Sequence, residues 1–283
     1  MIIGISGRIN SGKDTVGKII KLIRLLNRAD TKELLIEYEH FERNNLWDVV
    51  KGPGSFEIKK FADKLKDMTC VLLGCTKEQL EDREFKEKEL GEEWNYTFYN
   101  IRDDEGFMLD NHLSEEDAEN DLSFWDENIN IAHPPYIEKV EQRLTPRLLL
   151  QLLGTECGRK IIHPNIWVNF LMSEYKPIEN SNTVYPNWVI TDVRFPNELR
   201  AIKEKGGITI RVNRPKYAYE SDLPEKSSPL QHAERGKELY NHPSEIALDN
   251  AEFDYTIDNN GTIEELIEKI KNLKIWEDIM TEI

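Results

Sequence analysis

Residues 1–15 read Met1-Ile2-Ile3-Gly4-Ile5-Ser6-Gly7-Arg8-Ile9-Asn10-Ser11-Gly12-Lys13-Asp14-Thr15. The apolar run Ile2 to Ser6 ends in glycine and predicts a buried strand. The G-x-x-x-x-G-K spacing of a phosphate-binding loop follows it directly, and a helical pattern over 13–27 follows the loop. Glycines let the backbone curl so that successive N–H groups point inward. The helix N-terminus adds partial positive charge, and Lys13 supplies a point charge for β- and γ-phosphates. Gly7, Asn10, Ser11, Gly12, Lys13, Asp14 and Thr15 are therefore the candidate ATP-binding residues. Asp14 stands where the pattern usually carries Ser or Thr. Magnesium is accordingly expected on Asp14, through water, or on Thr15.

Beyond the loop, β-type and helical patterns alternate. Ser55 to Phe61 is β-like and precedes a helix from about Ala62 to Leu73. Thr145-Pro146 opens a helix, with Thr145 as N-cap and Pro146 at the first helical position. A second helix follows His163-Pro164. Asn187 to Asp192 and Ile208 to Val212 are strands around a helix from Pro196 to Lys205 that closes on Gly206-Gly207. Asp254 to Asp258 and Thr262 to Leu273 form a last strand and helix. This alternation argues for an α/β fold with a largely parallel central sheet.

The chain has 283 residues, 37 Lys plus Arg against 53 Asp plus Glu, and a formal charge of −16. Such a chain repels nucleic acid polymers at long range, so DNA and RNA are excluded as expected partners. The stretch 102–127 holds eleven acidic residues and one basic residue, and reads as a solvated insertion. Three cysteines, Cys70, Cys75 and Cys157, are too few for a disulfide framework, and no zinc-type spacing accompanies them. The N-terminus has no signal-peptide pattern and no window spans a membrane. A cytoplasmic location is expected, in a host cytosol if the chain is viral.

Two further constellations carry chemistry. Asp192 closes an apolar strand, where open α/β sheets bind ligands, and suits a metal-holding acid. Arg194, two residues on, reaches the same mouth and suits charge developing on a transferring phosphoryl group; Glu198 follows on the next helix. Arg147, Gln151, Thr155 and Arg159 recur every four residues along one helix stripe, opposite Leu148, Leu149, Leu152 and Leu153. Two arginines with an amide and a hydroxyl between them suit a second phosphate and a base edge. Gly154 in that helix signals close approach of a neighbour.

These blocks together resemble the bacteriophage-type deoxynucleoside monophosphate kinases. The similarity lies in Gly12-Lys13-Asp14-Thr15, with Asp after lysine, and in Arg83-Glu84-Phe85-Lys86-Glu87 followed by Trp94. It continues in Thr145-Pro146-Arg147, Gln151-Leu152-Leu153-Gly154-Thr155-Glu156, Arg159 and Trp167, then in Asp192-Val193-Arg194-Phe195-Pro196-Asn197-Glu198, and in His242-Pro243-Ser244-Glu245. The acidic stretch 102–127 matches poorly.

The resemblance implies a P-loop NTPase fold of the nucleoside-monophosphate-kinase type: a parallel sheet flanked by helices, with a helical or irregular insertion. It implies transfer of the ATP γ-phosphate to a dNMP, with ATP and Mg²⁺ required and a homodimer usual. Ser11, Asp14, Thr15, Arg147, Gln151, Thr155, Trp167, Asp192, Arg194 and Glu198 are implied to line the site. Trp167 either stacks on the base or fills core.

The expected organisation is one kinase domain over 1–283, an acidic insertion over 83–143 and a lid over 216–241. Lys13, Arg147, Asp192 and Arg194 are the expected catalytic residues. Asp14, Thr15 and Asp192 are the metal candidates, and Arg147, Gln151, Gly154, Thr155, Arg159, Trp167 and Glu198 the substrate candidates. The alternatives are a P-loop kinase for another small acceptor, such as dephospho-coenzyme A, and a non-kinase ATP-driven switch.

Overall fold

Every residue of strand β1 (Ile2–Gly7) is buried, as expected for a strand with neighbours on both edges and cover on both faces. The computed structural model describes residues 1–27, 29–52, 54–103, 106, 108–128, 135–178, 183–214 and 243–276. They divide into two compact units, Met1–Lys64 with His163–Ile283, and Leu65–Ile162.

In the first unit, β1 lies at the centre of a five-stranded sheet with β2 (Glu57–Lys59), β6 (Trp188–Val193), β7 (Ile208–Asn213) and β8 (Tyr255–Asp258). The order is β2-β6-β1-β7-β8, and every pairing is parallel. The fold is α/β, a parallel sheet flanked by helices. β1 sits between β6 and β7, so the connections leave it in opposite directions, and the crevice at its carboxyl end is where such sheets take ligands.

Helix α1 (Lys13–Leu25) follows the loop, and α2 (Thr31–Asn44) starts on an Asp30–Glu33 capping box. The core joins Ile3 and Ile5 of β1, Val16, Ile19 and Ile20 of α1, and Leu266, Ile267 and Ile270 of α11 (Ile263–Lys271). Apolar residues of α1 recur every three to four positions, and burying that stripe, rather than local propensity, holds the helix.

Gly17 is the point where α1 meets β6. A Cβ there would overlap Thr191 Cγ2 and lie 3.2 Å from Val189 Cγ1. Gly17→Ala gains about 1 kcal/mol of helix propensity but overpacks a closed contact at roughly 1–3 kcal/mol. A net loss of about 1 kcal/mol is expected in urea denaturation; a stabilised variant would show that α1 does not lie this close to β6.

The second unit carries α4 (Lys77–Glu81), α5 (Arg83–Glu87), β3 (Tyr96–Arg102), β4 (Met108–Leu113), α6 (Glu115–Asn128) and β5 (Tyr136–Gln142). The helix before them, α3 (Asp63–Leu73), begins two residues ahead of the unit. The insertion over 83–143 lies wholly inside this unit. It was expected to be helical or irregular, yet it also contains an antiparallel sheet of order β4-β3-β5. Ile101 is fully buried there and pairs with Ile137. Glu138, Lys139 and Glu141 on β5 break up the apolar alternation, which is why the strand is faint in sequence.

The expected continuous helix from Thr145 to Arg159 is also corrected. α7 (Pro146–Gln151) is α-helical, with Thr145 Oγ1 accepting the Leu148 N–H at 3.2 Å. Leu152–Ile162 continues it as a π-helix. An α-turn holds fewer than four residues, whereas i→i+5 bonding implies a turn of more than four. A row at spacing four therefore drifts one way before Gln151 and back after it. Gly154 is where the wide helix is crossed closely: a Cβ there would meet Leu65 Cδ2 at 2.7 Å.

The lid candidate, 216–241, lies outside the described residues. No helix among the described residues is long and apolar enough to cross a membrane.

Candidate active site

The carboxyl end of β1 turns into the phosphate loop through two positive-φ residues, Asn10 at 58° and Gly12 at 92°. Gly7 is required by space: a Cβ there would lie 2.6 Å from the Val212 carbonyl and against Ser11 Oγ. The loop closes on itself through Ser11 N–H to the Arg8 carbonyl at 3.1 Å, and α1 starts with Val16 N–H to Gly12 at 2.9 Å. Asn259 Nδ2 donates to the Ser11 carbonyl at 2.9 Å and Arg214 Nη1 to that of Asn10 at 3.2 Å. Both outward carbonyls are thus held, which leaves the N–H side of the curl as its binding face.

Lys13 is 8% exposed, and its Nζ donates to the Arg8 carbonyl at 2.8 Å. Burial, with Arg194 adding repulsion, lowers its pKa to about 8 against an ordinary 10.5; Glu245, Asp14 and Asp192 oppose that shift. The ammonium is therefore charged at neutral pH but weakly solvated, which suits it to an incoming phosphate. A cavity of about 260 Å³ is lined by Asn10, Gly12, Lys13, Asp14, Thr15 and Arg214. Ser11 Oγ is buried with no hydrogen-bond partner among the described residues, so a donor has been left waiting beside the curl.

Asp14 opens α1. Its Oδ1 accepts Thr191 Oγ1 at 2.7 Å and the Lys60 ammonium at 2.8 Å. Partial burial would raise this carboxyl's pKa, but Lys60, the Thr191 hydroxyl and Lys13 together bring it below the ordinary value. Thr15 lines the same cavity as Lys13 and Asp14. Asp192, at the end of β6, accepts Phe61 N–H on one oxygen at 2.8 Å and Ala62 N–H on the other at 3.0 Å.

Arg194 is held from both ends. Glu198 Oε2 accepts the Arg194 and Phe195 N–H groups at 2.7 and 3.0 Å, and the guanidinium forms an ion pair with Glu245. Glu198, expected toward substrate, is 1% exposed and holds the backbone that carries Arg194. Trp167, on α8 (Ile166–Glu174), is likewise buried.

The structure thus brings the 7–15 loop, Asp192, Arg194 and Glu198 together in the first unit, with Trp167 buried in the same unit. The second unit carries Arg147, Gln151, Gly154, Thr155 and Arg159. Gln151 is exposed there and Gly154 buried, while Arg147 pairs with Glu87. Lys66 and Lys86 both pair with Glu81, and burial, together with the charges of Lys66 and Arg147, lowers the Lys86 pKa despite the opposing pull of Glu81. Several cations gathered around acids make a local basic cluster on an acidic chain.

A family model described as deoxynucleotide monophosphate kinase matches residues 105–270, more than half of the chain. The chain belongs to the deoxynucleotide monophosphate kinase family. Escherichia phage T5 supplies a relative, a deoxynucleoside-5′-monophosphate kinase, 29% identical over 244 residues, covering 80% of this chain and 84% of the relative. The deoxynucleotide monophosphate kinase of Enterobacteria phage T4 is 28% identical over 136 residues, 48% of each chain. A crystal structure of TT1252 from Thermus thermophilus aligns over 98% of this chain and 97% of that one, at 15% identity and a TM-score of 0.39. The family match covers Arg147, Asp192, Arg194 and Glu245 but not the phosphate loop, which rests on its own geometry.

Several residues of this family member's site went unseen in sequence. Lys60 and Asn259 sit at strand ends far from the loop, and no spacing rule connects them to it. Glu245 stood in a recognised block, but without a role.

Proposed function

We propose that this chain transfers the γ-phosphoryl group of ATP to a deoxynucleoside 5′-monophosphate, giving ADP and a dNDP. The observation that carries this reading is the buried Lys13 beside Arg194 at the mouth of a phosphate loop, in a chain of this family. An oxygen of the acceptor phosphate attacks γ-phosphorus, and the bond to the β–γ bridging oxygen breaks. That acceptor oxygen is already ionised near neutral pH, so no strong base is required; positioning and charge neutralisation dominate. Lys13, Arg194, the loop N–H groups and the α1 N-terminus supply the positive field.

The residues present fit a divalent cation. Asp14 has one oxygen outside its contacts with Thr191 and Lys60, and Asp192 is fixed nearby. Mg²⁺ keeps several waters and needs only one or two carboxylates besides phosphate oxygens. Asp14 and Asp192 would hold it, and it would neutralise charge on the phosphates. Thr15, which lines the same cavity, is the further candidate for that task.

For the acceptor we propose the row Arg147, Gln151, Thr155 and Arg159. Arg147 offers a planar fork that matches phosphate in a bidentate way, and Gln151 both donates and accepts toward a base or sugar. Arg147→Ala and Gln151→Ala are expected to raise KM for dNMP about 10-fold or more, with KM for ATP within about 2-fold. A rise in the ATP constant alone would assign the row to the donor.

A homodimer acting in the cytosol completes the proposal, the homodimer supported by the family resemblance. The deciding experiment is ADP release with ATP against the four dNMPs, the four NMPs and dephospho-coenzyme A. Turnover with at least one dNMP is expected. Turnover with dephospho-coenzyme A alone, or hydrolysis that needs no acceptor, would replace this reading by another kinase or by a switch.

A further inference from the structure

We propose that Glu245 is a positioning residue of the phosphate site, a single carboxylate that pins the outer limb of the loop and aims Arg194. The inference rests on the kinase reading above. Its Oε2 accepts the Ile9 N–H at 2.5 Å, and its Oε1 pairs with Arg194 Nη1. The residue is 7% exposed, so both contacts are made largely out of water, where a charge-assisted bond is strong and an unmatched partner costly.

The two groups it joins come from opposite flanks of the mouth. Ile9 lies in the loop after β1, and Arg194 follows β6. Asp14 and Thr191 tie the start of α1 to β6, and Glu198 anchors the backbone at Arg194; the tie between Ile9 and the Arg194 guanidinium runs through Glu245. Glu245 supplies that tie from α10 (Pro243–Ile246).

Four residues further, in the turn after α10, Asp249 repeats the motif at lower burial. It pairs with Arg8 of the loop and with Arg211 Nη2 of β7 at 2.8 Å, while Arg211 Nη1 donates to Ser6 Oγ of β1 at 3.1 Å. The segment 243–250 therefore clasps the loop at two consecutive residues, Arg8 by its side chain and Ile9 by its backbone. Of these two clasps, the Glu245 one holds Arg194, which is why the catalytic effect is assigned to Glu245 and not to Asp249.

Aiming is distinguishable from mere support. Glu245→Gln keeps the size and one acceptor oxygen but loses the charge that holds Arg194. It is expected to lower kcat about 10-fold or more, with KM for ATP and dNMP within about 3-fold, because the contact acts through Arg194 rather than on ground-state binding. In an Arg194→Ala background the same change is expected to cost less than about 2-fold, since the effects of coupled residues do not add. Glu245→Asp should recover part of kcat. Equal losses in both backgrounds, or a KM rise with kcat unchanged, would overturn the proposal.

Amide exchange at Ile9 separates this outcome from failure of the kinase reading. Protection of that N–H is expected in the wild type and its loss in Glu245→Ala, whichever acceptor the enzyme uses. An Ile9 amide equally protected in both would remove the latch even if dNMP turnover stands.

Discussion

Lys13→Ala is expected to lower kcat by about 10²-fold or more, roughly 3 kcal/mol of transition-state stabilisation, with almost no loss of stability. The two halves of this result share one cause. Burial and Arg194 pull the Lys13 pKa down to about 8, so the folded state binds this proton less tightly than the unfolded chain does. At pH 7 the ammonium is charged in both states, and the folded state carries the full desolvation cost; that cost is relieved only as pH rises above 8 toward 10.5. Alanine removes the cost together with the bond to the Arg8 carbonyl. The melting temperature is accordingly expected to stay within about 3 °C of wild type or to rise. Near-normal kcat in a folded variant would show that the curl of 7–15 does not hold the transferred phosphate.

The phosphate loop was legible because its requirements are local. Gly12 needs its positive φ, Gly7 needs room under the Val212 carbonyl, and both announce themselves at fixed spacing from Lys13. The parallel sheet was legible for a similar reason: strands such as Ile2 to Gly7, buried on both faces, have to be nearly all apolar. Asp192 and Arg194 could be found because a strand end is a predictable address in such a sheet.

What remained hidden depends on distance in the chain. Lys60 meets Asp14 across 46 residues and Glu245 meets Ile9 across 236, and only tertiary folding creates those contacts. The antiparallel strands over 96–142 were masked by charge, because β5 carries Lys139 and Glu141 on one face and Glu138, paired with Asn100 and Arg102, on the other. The π-helix over Leu152–Ile162 was hidden in a different way. A spacing of four is shared by a tight helix drifting forward and a wide one drifting back, so the row Arg147 to Arg159 did not reveal the change of backbone within it.

Asp192→Asn tests the other wall of the mouth, and here activity and stability are expected to fall together. Each carboxylate oxygen accepts a backbone N–H, from Phe61 and from Ala62. An amide keeps one acceptor, so whichever way it lies, its NH₂ faces a backbone donor. One N–H is left unmatched at a cost of about 1–3 kcal/mol, which lowers the melting temperature by several degrees. The segment that loses its bracket leads into α3, and the mouth loses a negative charge facing Lys13. A kcat loss of about 10²-fold is expected, with more Mg²⁺ required for half-maximal rate if Asp192 helps hold the cation. The measurements separate the two duties: a melting temperature unchanged from wild type would contradict the bracket on Phe61 and Ala62. A kcat loss at an unaltered Mg²⁺ requirement would leave the bracket as the residue's whole contribution, and Asp14 as the acid that meets the metal.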